Sequence, residues 1–406
     1  MDMSKQALKG IRVADFSWVW AAPYTTLLFA FMGAEILKIE SSKRLDQTRE
    51  GSISTGDDFE DYDASPLFNN LNLNKKSVSL DLKDPRGMEL AREIVARSDV
   101  VVENMRAGVM KKLGLGYEEL VKVKPDIIML SASGFGAEGP YGNYAGFASI
   151  FAAFGGVAHL TGYEDGTPNT MGGVLDLRAG TVAAVALLAA LIHRKKTGEG
   201  QFIDLSSSEC ISTLIGSELL EYSMNKRSPS RIGNQDAIMA PHNCYRCKGD
   251  DNWISIAVAT DGEWEALRGA MGDPEWSQRE AYGGTYGRWQ HRREIDEHIA
   301  KWTAGYTSHE LMSTLQGVCV AAMPSFSAEE ILSDRHILAR GKIVEVEHPL
   351  LGVTKVISPP WKLSGTPAEI LKAGPLLGEH NEEILCGLLG MSKEEMQRLE
   401  EEGVLK

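Results

Sequence analysis

Over its first 135 residues the chain alternates short apolar runs with helix-patterned segments, and this rhythm restricts the fold more than any other feature. Ile11 to Phe16, Glu35 to Glu40, Ser77 to Leu82, Asp99 to Asn104 and Ile127 to Ser133 read as strands. Tyr24 to Met32, Pro85 to Arg97 and Val109 to Leu113 read as the helices between them. A βαβ succession of this kind folds as a mainly parallel, doubly wound α/β sheet, with ligands near the carboxyl ends of its strands. The stretch from Phe16 to Leu37 is apolar enough to suggest a membrane span. Pro23, Tyr24, Thr25, Thr26 and Gly33 interrupt it, however, and no charged flanks organise it, so a buried strand, turn and helix is expected. The opening Met1 to Gln6 lacks the basic-then-apolar order of a secretory leader, which points to a cytoplasmic protein.

Two helices follow, Leu177 to His193 and Ser207 to Met224, separated by a Gly-containing turn and the strand Gln201 to Leu205. At Ser228-Pro229-Ser230 the texture changes to that of a linker. Beyond it, the strand Trp253 to Val258 and the helices Glu263 to Met271 and Arg293 to Trp302 suggest a smaller α+β unit. A strand-rich piece (Lys342 to Val346, Val353 to Ile357) and the helices Glu382 to Leu389 and Lys393 to Glu401 close the chain. The expected organisation is a large domain at 1–225, completed by 325–406, and a small α+β domain at 226–324.

A net charge of −14 with no long basic run argues against a nucleic-acid partner. Five scattered cysteines make no disulfide framework, and the Cys244-Tyr-Arg-Cys247 pair beside His242 has no second pair at zinc-finger spacing, so no metal site is expected. Gly134-Phe-Gly136-Ala-Glu-Gly139 matches the dinucleotide pattern GxGxxG literally. The residues after it, Pro140 to Tyr144, do not continue as the helix that would hold a pyrophosphate, so no nicotinamide or flavin is expected. Lys75, Lys76, Lys83, Arg106, Lys111 and Lys112 gather at strand ends, where a phosphate-rich small molecule such as coenzyme A would sit.

Asp176, in Gly173-Val-Leu-Asp-Leu-Arg-Ala-Gly180 at the mouth of an Ala-rich helix, admits two readings. It can cap the helix through its side chain, or it can serve as a carboxylate nucleophile held ionised by the helix dipole. Local spacing favours the cap.

Val101-Val-Glu-Asn104-Met-Arg106-Ala-Gly108-Val-Met-Lys-Lys-Leu-Gly114 resembles the ENFRPGVMERLG signature of the class III CoA-transferases, the CaiB/BaiF family. Gly33 to Glu40, Asn74 to Asp81, Ser133 to Gly136, His193 to Gln201 and Gly374 to His380 resemble the family's other motifs, in order along the whole chain. The resemblance implies a Rossmann-like large domain, a small inserted domain and an interlocked dimer, either of one chain or with a related subunit. It implies acyl transfer between an acyl-CoA, with succinyl-CoA as the expected donor, and a carboxylic acid, with Asp176 as nucleophile.

For CoA, the resemblance points to Trp20 and Ala21 at the thioester, Asn104 and Met105 along the pantetheine arm, Leu80 and Lys83 at the adenine, and Arg106 and Lys112 at the phosphates. Trp18 and Trp20, expected on one face of an extended segment, suggest a bulky apolar acyl group, such as that of an aromatic dicarboxylate of the benzylsuccinate type. Relatives that racemise α-methylacyl-CoA pair the same Asp with a His. Phe147 stands at that position here and cannot take a proton.

Overall fold

The computed structural model describes residues 6–50 and 61–406. The chain divides into two compact units, one of residues up to 158 with 170–227 and 335–406, the other of 159–169 with 228–334.

The first unit is built on six parallel strands, β1 (Arg12–Asp15), β2 (Glu35–Glu40), β3 (Lys76–Ser79), β4 (Val100–Glu103), β5 (Ile128–Ser133) and β6 (Phe202–Ser206). Their order across the sheet is β3-β2-β1-β4-β5-β6. This is the doubly wound order, and its direction reverses between β1 and β4, which pair in parallel from Val13 opposite Val100 to Asp15 opposite Val102. The segments leaving β1 and β4 therefore diverge over a crevice at the carboxyl edge of the sheet. Strand β4 reads Val-Val-Val-Glu and is buried throughout, as a central parallel strand covered on both faces must be.

Helices cover both faces. On one, α1 (Ala21–Phe31) and α3 (Val174–Thr197) share a core with Val13, Ile36, Val100, Val102 and Leu130. On the other, α2 (Pro85–Ala96) packs Leu90, Ala91, Ile94 and Val95 with the C-terminal residues Ile384, Leu385, Leu399 and Val404. Helix α2 starts where its sequence says it should, with Asp84 accepting from the Arg86 N–H and Pro85 at the first position. The apolar stretch from Phe16 to Leu37 is thus the turn after β1, α1 and the first residues of β2. Helix α3 has the length and hydropathy of a spanning helix, but Leu175, Ala179, Ala183, Leu187 and Ala190 bury one of its faces in the core.

The contact between α1 and α3 depends on Gly180. A Cβ there would lie 2.4 Å from the Ala21 carbonyl oxygen, and the Thr25 hydroxyl donates to the Gly180 carbonyl at 3.0 Å. Helix α3 ends at Gly198, whose φ of +80° supplies the left-handed stop that other residues adopt at a cost.

The second unit holds an antiparallel sheet of β7 (His242–Arg246), β8 (Trp253–Ala257) and β9 (Ala321–Pro324) in that order. It packs against helices at Asp261–Ala270, Arg292–Thr303 and Ser308–Gly317 around Trp264, Leu267, Ile295, Ile299 and Leu311. Its limits differ from the sequence-based 226–324. Residues 159–169 belong to it because Gly233 N–H donates to the Gly162 carbonyl and Arg293 pairs with Glu164. It runs on to Asp334 because Phe326 stacks on His309, which lies beside Glu330 at 3.9 Å. Cys244 lies in β7 and Cys247 is buried behind it. The Ser207 to Met224 helix is broken by a tight turn at Thr213–Ile215.

Candidate active site

The crevice at the β1/β4 switch point holds two chambers. One encloses about 230 Å³ among Val19, Trp20, Ala21, Asn104, Met105, Arg106, Ser133, Gly134, Tyr144, Phe147, Phe151, Asp176 and Ser207. The other, about 190 Å³, has an apolar floor of Phe16, Trp18, Ile39, Leu80, Met105, Val109 and Leu113, with the exposed cations Lys43, Arg44 and Lys83 on its wall beside Glu40, Asp46 and Asp81, the last paired with Lys43 at 2.6 Å. Met105 lines both. The chambers are therefore neighbours, one dominated by aromatic rings and a carboxylate, the other carrying surface cations.

Asp176 does not cap its helix. Gly173 occupies the N-cap position without a side-chain bond, and Asp176 stands in the first turn with only its backbone N–H engaged, to the Gly173 carbonyl. Among the described residues no hydrogen bond or ion pair reaches its carboxylate. Burial raises its pKa from the ordinary carboxylate range to about 6. At pH 7 the group is still mostly ionised. A desolvated, unpaired carboxylate is a better nucleophile than a solvated one, because there is less hydration to strip away before attack. The indole of Trp20 lies over the helix mouth, 3.5 Å from where a Cβ on Gly173 would be.

The segments that leave β1 and β4 are stitched together. Asn104 accepts from the Trp18 N–H at 2.8 Å and donates to the Trp18 carbonyl at 2.7 Å. Glu103 accepts from the Met105 N–H at 2.8 Å and so shapes the turn after β4. The GxGxxG loop follows β5, but its Ala137 N–H is taken by the Asp204 carboxylate at 2.9 Å. Gly134 is required there because a Cβ would enter the Phe151 ring. That loop is a chamber wall, not a pyrophosphate cradle.

Of the residues the sequence singled out, Trp20, Ala21, Asn104, Met105, Arg106 and Asp176 meet in the first chamber, and Leu80, Lys83 and again Met105 in the second. Lys112 reaches neither. The short helix Val109–Lys112 turns Val109 inward, with Leu113 after it, and leaves Lys111 and Lys112 on the exposed face, where Lys111 pairs with Glu118. The cationic cluster is likewise divided: Lys75 is fully buried beside Asp15, and Lys76 pairs with Glu35 and Glu383. Trp18 and Trp20 do not share a face. Trp18 lies in the cation-walled chamber with the Arg44 guanidinium 4.2 Å from its ring. The aromatic partners of Trp20 come from elsewhere, as Tyr144, Phe147 and Phe151. Lys43, Arg44 and Tyr144 went unnoticed in the sequence, although Lys43-Arg44 follows β2 at the carboxyl edge of the sheet, where ligands of such folds are found.

A Rossmann-like unit with a carboxylate at its switch point, beside a cleft carrying exposed cations, has the framework of an enzyme that binds a phosphate-bearing ligand there. Residues 8–381 match CoA-transferase family III, and the chain belongs to that family, as an acyl-CoA:carboxylate CoA-transferase. It is 36% identical over 400 residues to a succinyl-CoA–D-citramalate CoA-transferase of Chloroflexus aurantiacus, covering 98% of each chain. It is 35% identical to the beta subunit of the succinyl-CoA–L-malate CoA-transferase of that organism, again over 98% of each. A formyl-CoA:oxalate CoA-transferase of Rhodopseudomonas palustris is 31% identical, over 99% of this chain and 97% of that one. Among solved structures, a CaiB/BaiF family protein from Brucella suis superposes with a TM-score of 0.85 at 27% identity, over 95% of this chain and 100% of that one.

Proposed function

We propose that the protein moves CoA from succinyl-CoA to a substituted dicarboxylic acid through covalent intermediates on Asp176. The Asp176 carboxylate attacks the thioester carbonyl, the C–S bond breaks, and CoA leaves as thiolate with the electron pair. This yields a mixed anhydride of succinate and Asp176. The thiolate then attacks the aspartyl carbonyl and expels succinate, giving an aspartyl-CoA thioester. The acceptor carboxylate opens that thioester to a second anhydride. Finally the returning thiolate attacks the acceptor's carbonyl, releasing the new acyl-CoA and free Asp176. No ATP is used and no proton is gained or lost overall.

One observation carries the reading: an unpaired, desolvated carboxylate faces a ring-lined chamber that adjoins, through Met105, a cation-walled cleft. Trp20 and Ala21 would flank the thioester and Asn104 and Met105 the pantetheine arm. Leu80 and Lys83 would take the adenine, with Arg106, Lys43 and Arg44 offering charge to the phosphates. Succinyl-CoA as donor draws support from the names of the Chloroflexus relatives. The rings of Trp20, Tyr144, Phe147 and Phe151 favour an acceptor with an apolar or aromatic substituent, for which benzylsuccinate is the test compound. Phe147 at the position of the racemases' second base favours transfer over racemisation.

Exposed apolar side chains stand on α3 (Val185, Ile192) and on the helix Gly216–Asn225 (Leu219, Leu220, Tyr222). We infer that a second subunit, of the same chain or a related one, covers them; native mass measurement reads the stoichiometry. The substrate reading is tested by offering succinyl-CoA with benzylsuccinate, citramalate, malate, oxalate and formate and following new thioesters. Higher kcat/KM for the substituted dicarboxylates is expected. Preference for formate or oxalate over every bulky acid overturns it.

A further inference from the structure

Ser17 to Ala21 separates the two chambers, and its path depends on a backbone conformation that valine disfavours. Val19 has φ +65°, in the left-handed region where a β-branched residue is strained. That single residue breaks the alternation of an extended segment. Trp18 consequently faces the cation-walled cleft and Trp20 the chamber of Asp176. A strained conformer persists only where its surroundings over-determine it, and here two side chains grip the backbone around Val19.

Asn104 holds Trp18 by both its N–H and its carbonyl. The other grip is Asp46. Its Oδ1 accepts from the Val19 N–H at 3.1 Å, and from the N–H and hydroxyl of Thr48 at 3.0 and 2.9 Å. Its Oδ2 accepts from Lys38 Nζ at 3.0 Å, and the same ammonium donates to the Ser17 carbonyl at 2.8 Å. The Lys38 and Asp46 side chains are only 1% and 2% exposed. One buried ion pair therefore fixes the backbone two residues apart, at Ser17 and at Val19, and leaves the turn between them little freedom.

We propose that Asp46 is a positioning residue of the transfer reaction: its carboxylate holds Val19 in the left-handed turn that delivers Trp20 and Ala21 to the chamber of Asp176. Asp46 lines the cation-walled cleft but acts on the acyl chamber through the backbone it holds, at Val19 directly and at Ser17 by way of Lys38. The proposal rests on Asp176 being the nucleophile.

The test compares kcat for succinyl-CoA and an accepted dicarboxylate in Asp46→Ala, Asp46→Asn and Asp46→Ala/Val19→Gly. Asp46→Ala is expected to lose about tenfold or more in kcat, because small misplacements of groups around a reacting centre are costly. Asp46→Asn keeps an acceptor for the Val19 N–H and is expected to fall between parent and alanine variant. Adding Val19→Gly is expected to restore most of the loss, since glycine takes the left-handed turn without a clamp.

A residue that merely stabilised the fold would show no such rescue. Should Asp46→Ala strand the Lys38 charge and fail to fold, Lys38→Met/Asp46→Ala removes both charges, and the same rescue by Val19→Gly is expected. Parental kcat in a folded alanine variant, or a loss that Val19→Gly leaves unchanged, overturns the proposal. Turnover by Asp176→Ala would instead remove the nucleophile while leaving the Asp46 comparison readable.

Discussion

Asp46 and Asp176 border the same crevice, yet they are held in opposite ways. Asp46 receives four hydrogen bonds, one of them from a buried ammonium. Burial pushes its pKa up, but the charge of Lys38 and the hydrogen bonds from Thr48, Lys38 and Val19 outweigh it and hold the carboxyl below its ordinary range. Asp176 has burial alone, which takes it to about 6. On the proposed mechanism, the same functional group serves as architecture where its lone pairs are occupied and as the reactive centre where they are left free. On that account the stability of variants at the two should move in opposite directions.

The largest contrast lies in turnover and stability together. Asp176→Ala should abolish turnover, on the order of 10⁴-fold or more, while CoA still binds by calorimetry. Asp176→Asn should be equally inactive but more stable at pH 7, by about 1–3 kcal/mol in denaturant unfolding, because a carboxylate with a raised pKa opposes folding once ionised. Asp46→Ala should instead destabilise by about 3–5 kcal/mol, the consequence of leaving a buried partner charge unpaired. Equal stability changes of the same sign would break the comparison.

The pH dependence sharpens it. Asp176 is protonated in both folded and unfolded chains well below the ordinary carboxylate pKa of about 3.9, so its variant and the parent should be equally stable there, apart from shape. The difference should grow as pH rises and be complete above about 6. Asp46 runs the other way: its folded pKa is lowered, so its contribution is present above the ordinary carboxylate pKa and is lost as pH falls through the folded value. In kcat/KM for the acyl-CoA, an acid limb near pH 6 is expected in place of one near 4, because the proposed mechanism requires ionised Asp176.

Smaller effects belong to the cation-walled chamber. Lys83→Ala should raise KM for succinyl-CoA several-fold with kcat preserved, as expected when uniform binding is lost. Lys112→Ala, on the exposed face of its short helix, should change KM less than about twofold, within the usual range for surface substitutions. An equal rise in both would return Lys112 to the CoA path.

How much of this the sequence disclosed follows from what pattern can carry. Period and punctuation located β1, β2, β4, β5 and α2, because apolar runs, Asp84-Pro85 and a terminal glycine each reflect a local force. Strand β7 was missed, since His242-Asn-Cys-Tyr-Arg alternates too weakly and is set in place by pairing with β8. Residues 159–169 were assigned to the wrong unit because hydrogen bonds to Gly162 and the Arg293–Glu164 pair join positions far apart in the chain.

At the site, ordered motifs pointed to Asp176, Trp20, Asn104 and Met105, which the fold brings into one chamber, but spacing favoured a cap that the helix does not use. The separation of Trp18 from Trp20 was out of reach. It turns on one positive φ at Val19, enforced by Asp46 from another loop, and no local propensity announces such a turn at valine.

The most direct measurement is mass spectrometry of the enzyme quenched during turnover with succinyl-CoA, followed by peptide mapping. A CoA thioester on the peptide containing Asp176, formed without acceptor, discharged by adding a dicarboxylic acid and absent from Asp176→Ala, is the predicted result. An adduct on another residue, or full turnover with no adduct at any quench time, would contradict the assignment of Asp176 as the covalent centre.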